Sequence, residues 1–291
     1  MATQTATTGN LENAQNIMIS QSRFTAEHNM PTANLVEKFT LPKGNKQITV
    51  PKAGQMTAAS LTDGVDILSS ADIGLTTTDL TTAEVGLKVI LTYKLINQFN
   101  EDVFRMVGRQ IGDAMARKKE RDLQALFSGL NGGTALGADG NVLNMRAASG
   151  CVVFATAHKF PSPVAVVHHP NALGELAINA QAVGSTTFYA GILQGFSEEL
   201  LRNYWSMRIN GVNFFQSGEI DKISGTDSGY GAIFSKSAMC IIEGWAPQVE
   251  KEKDISLRGW EVVITSDYGV FELDDTYGAP MRYEIGDIST T

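Results

Sequence analysis

His168 and His169 come closest, by residue type and spacing, to a site that could do chemistry. Adjacent residues on extended backbone point to opposite faces, so the two imidazoles do not readily share one metal ion. No HExxH pattern or facial-triad spacing accompanies them. They lead into Pro170-Asn171 and a helical stretch, which assigns them a structural role at the start of a helix. His28 and His158 lie elsewhere, and four unclustered histidines do not form a histidine site. The Gly-rich stretch from Gly129 to Gly140 lacks the GK[ST] that would cradle phosphate, and reads as a flexible connection. Asp139-Gly140-Asn141 looks like the opening of a calcium loop without its later ligands. Asp274-Asp275 reads as a solvated turn. There is no GxSxG elbow, and no Ser, Cys or Lys has a base at a recognisable spacing. The expectation is a protein that is not an enzyme, with no catalytic residue, no cofactor and no metal.

Cys151 and Cys240 fall in apolar runs, Cys151-Val152-Val153-Phe154 and Met239-Cys240-Ile241-Ile242, both of which read as strands. They are expected as small buried hydrophobes, and no CxxC pair points to zinc or redox chemistry. The 291 residues, 43% hydrophobic and 8% aromatic, can bury a sizeable core in one multi-lobed unit or two small domains. The 28 glycines, with many Thr, Ser and Asn, add long loops and extended arms. With 23 Lys+Arg against 31 Asp+Glu, the net charge is -8, so no basic excess drives phosphate binding. A container, however, need not grip its contents. The start, Met1 to Asn10, is polar and uncharged, unlike a signal peptide, and no apolar run approaches the ~20 residues that span a bilayer. The protein is expected to fold in cytosol.

The elements that must carry these residues follow from periodicity. Residues 1 to about 38 have little core of their own and read as an arm. Ile48 and Val50 alternate with polar neighbours, and Pro51 closes that run. A polar stretch from Lys52 to about Thr82 reads as a loop, with a hairpin signal at Asp63-Gly64. Val85, Leu87, Val89, Leu91, Tyr93 and Leu95 hold a period of two, predicting a strand. From about Asn100 to Leu130, Val103, Val107, Ile111 and Met115, then Leu123, Leu126, Phe127 and Leu130, predict one helix ~45 Å long. Its centre, Arg117-Lys118-Lys119-Glu120-Arg121-Asp122, is charged all round, so it is expected in solvent or against a partner chain. Val164 to Val167 predicts a strand and Ser197-Glu198-Glu199 a helix start. Asn210-Gly211, between Trp205, Met207, Ile209 and Val212, Phe214, predicts a hairpin. Ala232 to Ile242 predicts one further strand. Trp260, Val262, Ile264 and then Tyr268 to Leu273 predict the last ones, before Gly278 and a polar tail.

This order of elements resembles the major capsid proteins of tailed bacterial viruses, the Hong Kong 97-type fold. Four patches carry the resemblance. Ile48 to Pro51, Ala58-Ala59 and Asp63-Gly64 look like the family's extended E-loop. The strand Val85 to Leu95 running into a long helix with a charged centre looks like its spine helix. Val166-Val167-His168-His169-Pro170 is close to its strand, His-Pro and helix pattern. Ile209 to Val212 and Asp267 to Val270 are similar to its late strands.

The resemblance implies an α+β fold, a Hong Kong 97-like capsid fold with N-arm, E-loop, peripheral domain with long spine helix, and axial domain. The implied division is an N-terminal arm at 1-38, the E-loop and flanking strands at 39-95, a peripheral domain at 96-160 and 251-291, and an axial domain at 161-250. It implies a chain that self-assembles as hexamers and pentamers into an icosahedral shell enclosing double-stranded DNA in the virion, assembled in the host cytoplasm. Its implied partners are itself, a portal, a decoration protein and, because the arm begins near Met1, a separate scaffolding protein or none. Candidate assembly contacts are Lys52, Asp63, Gly64, Arg117, Lys118, Lys119 and Arg121. Some relatives cross-link subunits. Lys43, Lys46 and Lys52 lie near the E-loop, but no local motif marks an Asn acceptor. Two rival readings are an encapsulin-type nanocompartment shell, which shares this fold, and a β-rich enzyme or binding module.

Overall fold

A computed structural model describes residues 31–54, 72–98, 103–183 and 206–288, with residues 56, 58, 60, 61, 63 and 66 between the first two stretches. Most of the predicted arm, Gly64 of the Asp63-Gly64 turn, Trp205 and the helix start at Ser197 lie outside the described residues.

The described chain begins with one helical turn, α1 (Thr32–Leu35), and strand β1 (Glu37–Thr40). A hairpin of β2 (Gln47–Lys52) and β3 (Thr76–Thr81) follows. Strand β4 (Ala83–Thr92) leads through α2 (Tyr93–Gln98) to the long helix α3 (Val103–Ala125), which ends in a 3-10 turn at Leu126–Ser128. Then come β5 (Leu136–Gly137), α4 (Met145–Ala157), β6 (Val164–His168) and α5 (Pro170–Val183). The chain finishes with β7 (Ser206–Ile209), β8 (Val212–Gln216), β9 (Ser228–Ser235), β10 (Met239–Asp254), β11 (Gly259–Glu272) and β12 (Gly278–Glu284).

Two larger sheets form. One has the order β1-β10-β11-β4, the other β5-β12-β9-β6-β8-β7, and β2-β3 stand apart as a two-stranded ribbon. The main core lies on the six-stranded sheet, where Phe127, Phe214, Phe234, Leu143, Leu176 and Met281 are fully buried. Helix α3 joins both sheets. Its first half puts Val107, Ile111 and Met115 on Leu91, Val262 and Ile264 of the four-stranded sheet. Its end puts Leu123 and Phe127 into the main core.

The helix is 23 residues long, so about 34 Å, shorter than the periodicity implied. The Asn210-Gly211 hairpin forms as expected, with φ of 48° and 86°, the positive pair a type I′ turn needs. Gly137 has φ 94°, and a Cβ there would lie 2.6 Å from the Arg282 carbonyl oxygen, so the short β5–β12 pairing requires glycine.

Several local expectations are corrected. Tyr93 and Leu95 belong to α2, because the Thr92 hydroxyl accepts the Leu95 N–H and opens a helix where alternation alone continued the strand. Cys151 lies in α4, capped by Asn144, and not in a strand. The predicted strand Ala232 to Ile242 is two strands in different sheets, split at a 3-10 turn capped by Ser235. Pro51 does not close β2 but pairs with Thr77 inside it. The supposed polar tail contains β12, whose Ala279 and Met281 are fully buried between β9 and β5.

Candidate assembly elements

The β2–β3 ribbon has a packed base and a bare end. At its base, Leu80 is fully buried with Cys240 and Ile242, and Ile48, Val50, Phe39 and Phe271 pack around them. This corrects the expectation that Lys52 to Thr82 is all loop. The apolar residues beyond the ribbon, Met56, Leu61, Ile73 and Leu75, are 57%, 68%, 49% and 65% exposed. Asp63 lies in a turn between them.

Two side-chain contacts tie the ribbon to the body of the subunit, one at each end. Lys52 Nζ lies 2.6 Å from Asp274 Oδ1, and the Thr82 hydroxyl donates to Asp267 Oδ2 at 2.6 Å. Asp274 is therefore no solvated turn. It is buried, and it accepts from the Thr276 N–H and hydroxyl. Burial alone raises its carboxyl, but the Lys52 and Thr276 bonds outweigh burial and hold it below the usual carboxylate range.

The charged centre of α3 is also not simply solvated. Glu120 is fully buried and receives the arm root: Thr32 Oγ1 donates to Oε1 at 2.5 Å, the Thr32 N–H at 3.2 Å, and the Ala33 N–H reaches Oε2 at 3.3 Å. Gln124 donates to it at 3.0 Å and also to Ser217 at 2.6 Å, in the segment after β8. Burial pushes the Glu120 carboxyl up, and its hydrogen bonds from Thr32, Ala33 and Gln124 offset this only in part. Around it, Lys119 reaches Glu243 at 2.7 Å and covers the Tyr268 ring, whose hydroxyl donates to Asp122. Lys118 pairs with Asp122 one turn on, and Arg121 with Glu219 and Asp221. Lys52, Lys118, Lys119 and Arg121, chosen as assembly contacts, thus all hold partners within their own subunit.

The histidine pair is placed as the start of a helix requires. His168 is fully buried on β6, and its Nδ1 accepts the His169 N–H at 2.8 Å. His169 Nδ1 accepts the Asn171 N–H at 3.1 Å, in the first turn of α5. Burial lowers His168 to about 3, so it is neutral at any ordinary pH. Asp139 pairs with Arg282. Among the described residues, no group of His, Cys, Asp and Glu could hold a metal ion, and no helix is long and apolar enough to cross a membrane.

The phage capsid protein family matches residues 75–279. The chain belongs to that family. This phage capsid protein therefore has a structural role, as a major capsid protein of a shell. No curated protein sequence matches it. Among solved structures, a chain of Mycobacterium phage Che8 is similar at TM-score 0.67 and 16% identity, over 86% of this chain and 90% of that one. The acidic stable capsid structure of Helicobacter pylori bacteriophage KHP30 is similar at TM-score 0.69 and 9% identity, over 90% and 94%. The holo-SrpI encapsulin complex from Synechococcus elongatus is similar at TM-score 0.63 and 10% identity, over 96% and 98%. These likenesses establish the Hong Kong 97-like α+β fold, which encapsulin shares. The family match is what separates the capsid protein from the encapsulin and enzyme readings.

Sequence reasoning missed the Glu120–Thr32 clasp, although a signal for it existed. Glu120, Leu123, Gln124 and Phe127 follow i, i+3, i+4, i+7, so Glu120 lies on the apolar stripe that enters the core. No such signal marks Lys52–Asp274, whose partners are far apart in the chain.

Proposed function

We propose that copies of this capsid protein form hexamers and pentamers that tile an icosahedral shell around double-stranded DNA in the virion. Assembly takes place in the host cytoplasm, with a separate scaffolding protein, a portal and a decoration protein as partners. The observation that carries this reading is the contrast along the β2–β3 ribbon, where Leu80 is fully buried while Leu61 and Leu75 are 68% and 65% exposed. A monomer gains nothing from ordering apolar residues in water, since fixing each backbone costs ~1–2 kcal/mol. A neighbouring copy that buries them supplies the compensation, and closed symmetry supplies that neighbour for every subunit.

In this reading 1-38 is the N-arm and 39-95 the E-loop with its flanking strands. The peripheral domain is 96-160 and 251-291, and the axial domain 161-250. Strand β10 (Met239–Asp254) crosses this boundary and links the two domains. Lys52, Asp63 and Gly64 act from the loop. Lys118 and Arg121, about half exposed, remain within reach of a neighbour in addition to their internal partners, and Arg117 and Lys119 hold the same helix.

The test deletes residues 53–75. Lys52 and Thr76 are directly paired, so an Asn-Gly turn can join them without disturbing the ribbon's base. Circular dichroism and melting should show a folded subunit, because loop-closure entropy depends weakly on length. Sedimentation velocity should show no closed particles. Intact shells from the deletion would sink the loop's assembly role. Microscopy of the wild type should show shells containing DNA. Protein-filled shells or small discrete particles would overturn the viral reading.

A further inference from the structure

The sequence holds two Asn-Gly pairs, Leu130-Asn131-Gly132 and Ile209-Asn210-Gly211. Each asparagine follows a branched aliphatic residue and precedes a glycine, so local sequence makes the two equivalent. Both turns put asparagine and glycine at positive φ, 54° and 60° in the first and 48° and 86° in the second. Their tertiary surroundings set them apart.

Asn131 opens a 3-10 turn, Asn131–Gly133, between α3 and β5. That turn packs on a second one, Asp275–Tyr277, between β11 and β12. Asp275 Oδ2 accepts the Gly132 N–H at 2.9 Å. Asp275 Oδ1 has no hydrogen-bond partner among the described residues, so no other donor competes for the carboxylate. The Asn131 carboxamide is folded back over its own turn. Its Nδ2 donates to the Thr134 carbonyl at 3.1 Å, and the Thr134 N–H donates to the Asn131 carbonyl at 3.1 Å. Gly133 follows at φ 75°, and two successive glycines let the peptide after Asn131 rotate with little steric resistance. Gly132 is exposed, so water reaches the turn. At the other pair a hydroxyl and a guanidinium are the neighbours. Asn210 Nδ2 donates to the Ser149 hydroxyl at 2.9 Å, and Arg208 Nε donates to the Gly211 carbonyl at 3.3 Å.

We propose that Asn131-Gly132 is a self-modification site, where Asp275 is the base that lets the Gly132 nitrogen attack the Asn131 carboxamide. A general base must lie within hydrogen-bond reach of the proton it removes, and the nucleophile must be held beside its target. The Gly132 N–H proton passes to Asp275 Oδ2 as the N–Cγ bond forms. The proton then moves to Nδ2, the Cγ–Nδ2 bond breaks, and ammonia leaves a five-membered succinimide with Asp275 restored. One water molecule opens the ring. Opening at Cγ gives aspartate, and opening at the main-chain carbonyl gives isoaspartate, which lengthens the backbone by one carbon. Either product sets a new carboxylate on the loop that already meets Asp275 and Glu272, since a Cβ on Gly129 would lie 2.5 Å from Glu272 Oε1. Burial and then the Asp275 charge push the Glu272 carboxyl up, so a further negative group is repelled there. The modification therefore loosens this loop irreversibly as each subunit ages.

The test incubates the full-length folded protein at neutral pH in heavy-oxygen water, so that only asparagines hydrolysed during the incubation carry the label. Peptide mass spectrometry with electron-transfer fragmentation reads each site and separates aspartate from isoaspartate. Asn131 should convert roughly tenfold or more faster than Asn210, the lower end of what a positioned base supplies. In the urea-unfolded chain, where sequence alone acts, the two should convert at similar rates. Asp275→Asn keeps an oxygen for the Gly132 N–H but removes the base, and should bring Asn131 down to the rate of Asn210. The folded-against-unfolded comparison uses the wild type alone, so it decides the matter should Asp275→Asn fail to fold. An Asn131 that stays unlabelled in the folded protein, or converts no faster than Asn210, overturns the inference. So does a difference that persists in urea, or a rate that a folded Asp275→Asn leaves unchanged.

Discussion

Glu120 and Asp274 each anchor a segment that leaves the body of the subunit, and they do so with opposite electrostatics. Glu120 holds the arm root through neutral donors, Thr32, Ala33 and Gln124, in a buried site. Asp274 holds the loop root through the Lys52 ammonium at the edge of solvent. The first carboxyl is displaced upward by burial. The second resists burial because a cation and the Thr276 bonds outweigh it, and it is displaced downward. The comparison teaches that burial and pairing, not residue type, decide what a carboxylate does to stability.

The largest disturbance strikes the helix from which both sheets are hung. Ile111→Pro breaks α3 in its interior, costing ~3 kcal/mol or more for the break alone, and displaces a buried side chain. Subunits of normal melting temperature, or normal shells, would contradict α3 as the common support.

Next in size is the loop root's apolar half. Leu80→Ala should cost about 2–5 kcal/mol, as fully buried leucines do, while Leu75→Ala, five residues earlier, should cost almost nothing. Equal effects in denaturant titration would erase the distinction between the ribbon's base and its end.

At the arm root, Glu120→Ala strands the Thr32, Ala33 and Gln124 donors and should cost about 1–3 kcal/mol. Limited proteolysis near residue 31 should accelerate. Unchanged cleavage would mean that the clasp does not hold the arm.

The smallest effects are the most diagnostic, because their signs differ. The Glu120 carboxyl is raised in the folded protein. Its contribution is full below the ordinary carboxylate range, about 4.3, and is lost as pH rises through the raised value. Glu120→Gln should therefore melt at or above wild type at pH 7, and the gap should close on acidification. The Asp274 carboxyl is lowered. Its contribution is present above about 3.9 and is lost only as pH falls through its lower folded value. Asp274→Asn should melt below wild type at pH 7, by up to about 1 kcal/mol since Lys52 is part-exposed, and should converge only in strong acid. Melting curves from pH 7 to acid read both, and gaps of the same sign would collapse the comparison.

Legibility in the sequence followed the range of the interaction. The period of two from Val85 to Leu91, the four-residue steps of α3 and the Asn210-Gly211 turn are local, and each appears where expected. The errors at Leu95 and Cys151 came from helix caps, Thr92 and Asn144, that a periodicity count does not weigh. The buried Asp274 and Glu120 were misjudged because a charge run reads as solvated unless its distant partner is known.

The sequence by itself determined the strand from Val85, the long helix, the Asn210-Gly211 hairpin, the missing catalytic spacing and a resemblance to capsid proteins, since each is set by neighbours within a few turns or by composition. Only the tertiary structure decided which carboxylate is buried, which lysines are already paired, and that β9 and β10 part into different sheets. Those depend on residues 88 positions apart, as for Thr32 and Glu120, and on the dielectric their packing creates. No local pattern encodes either.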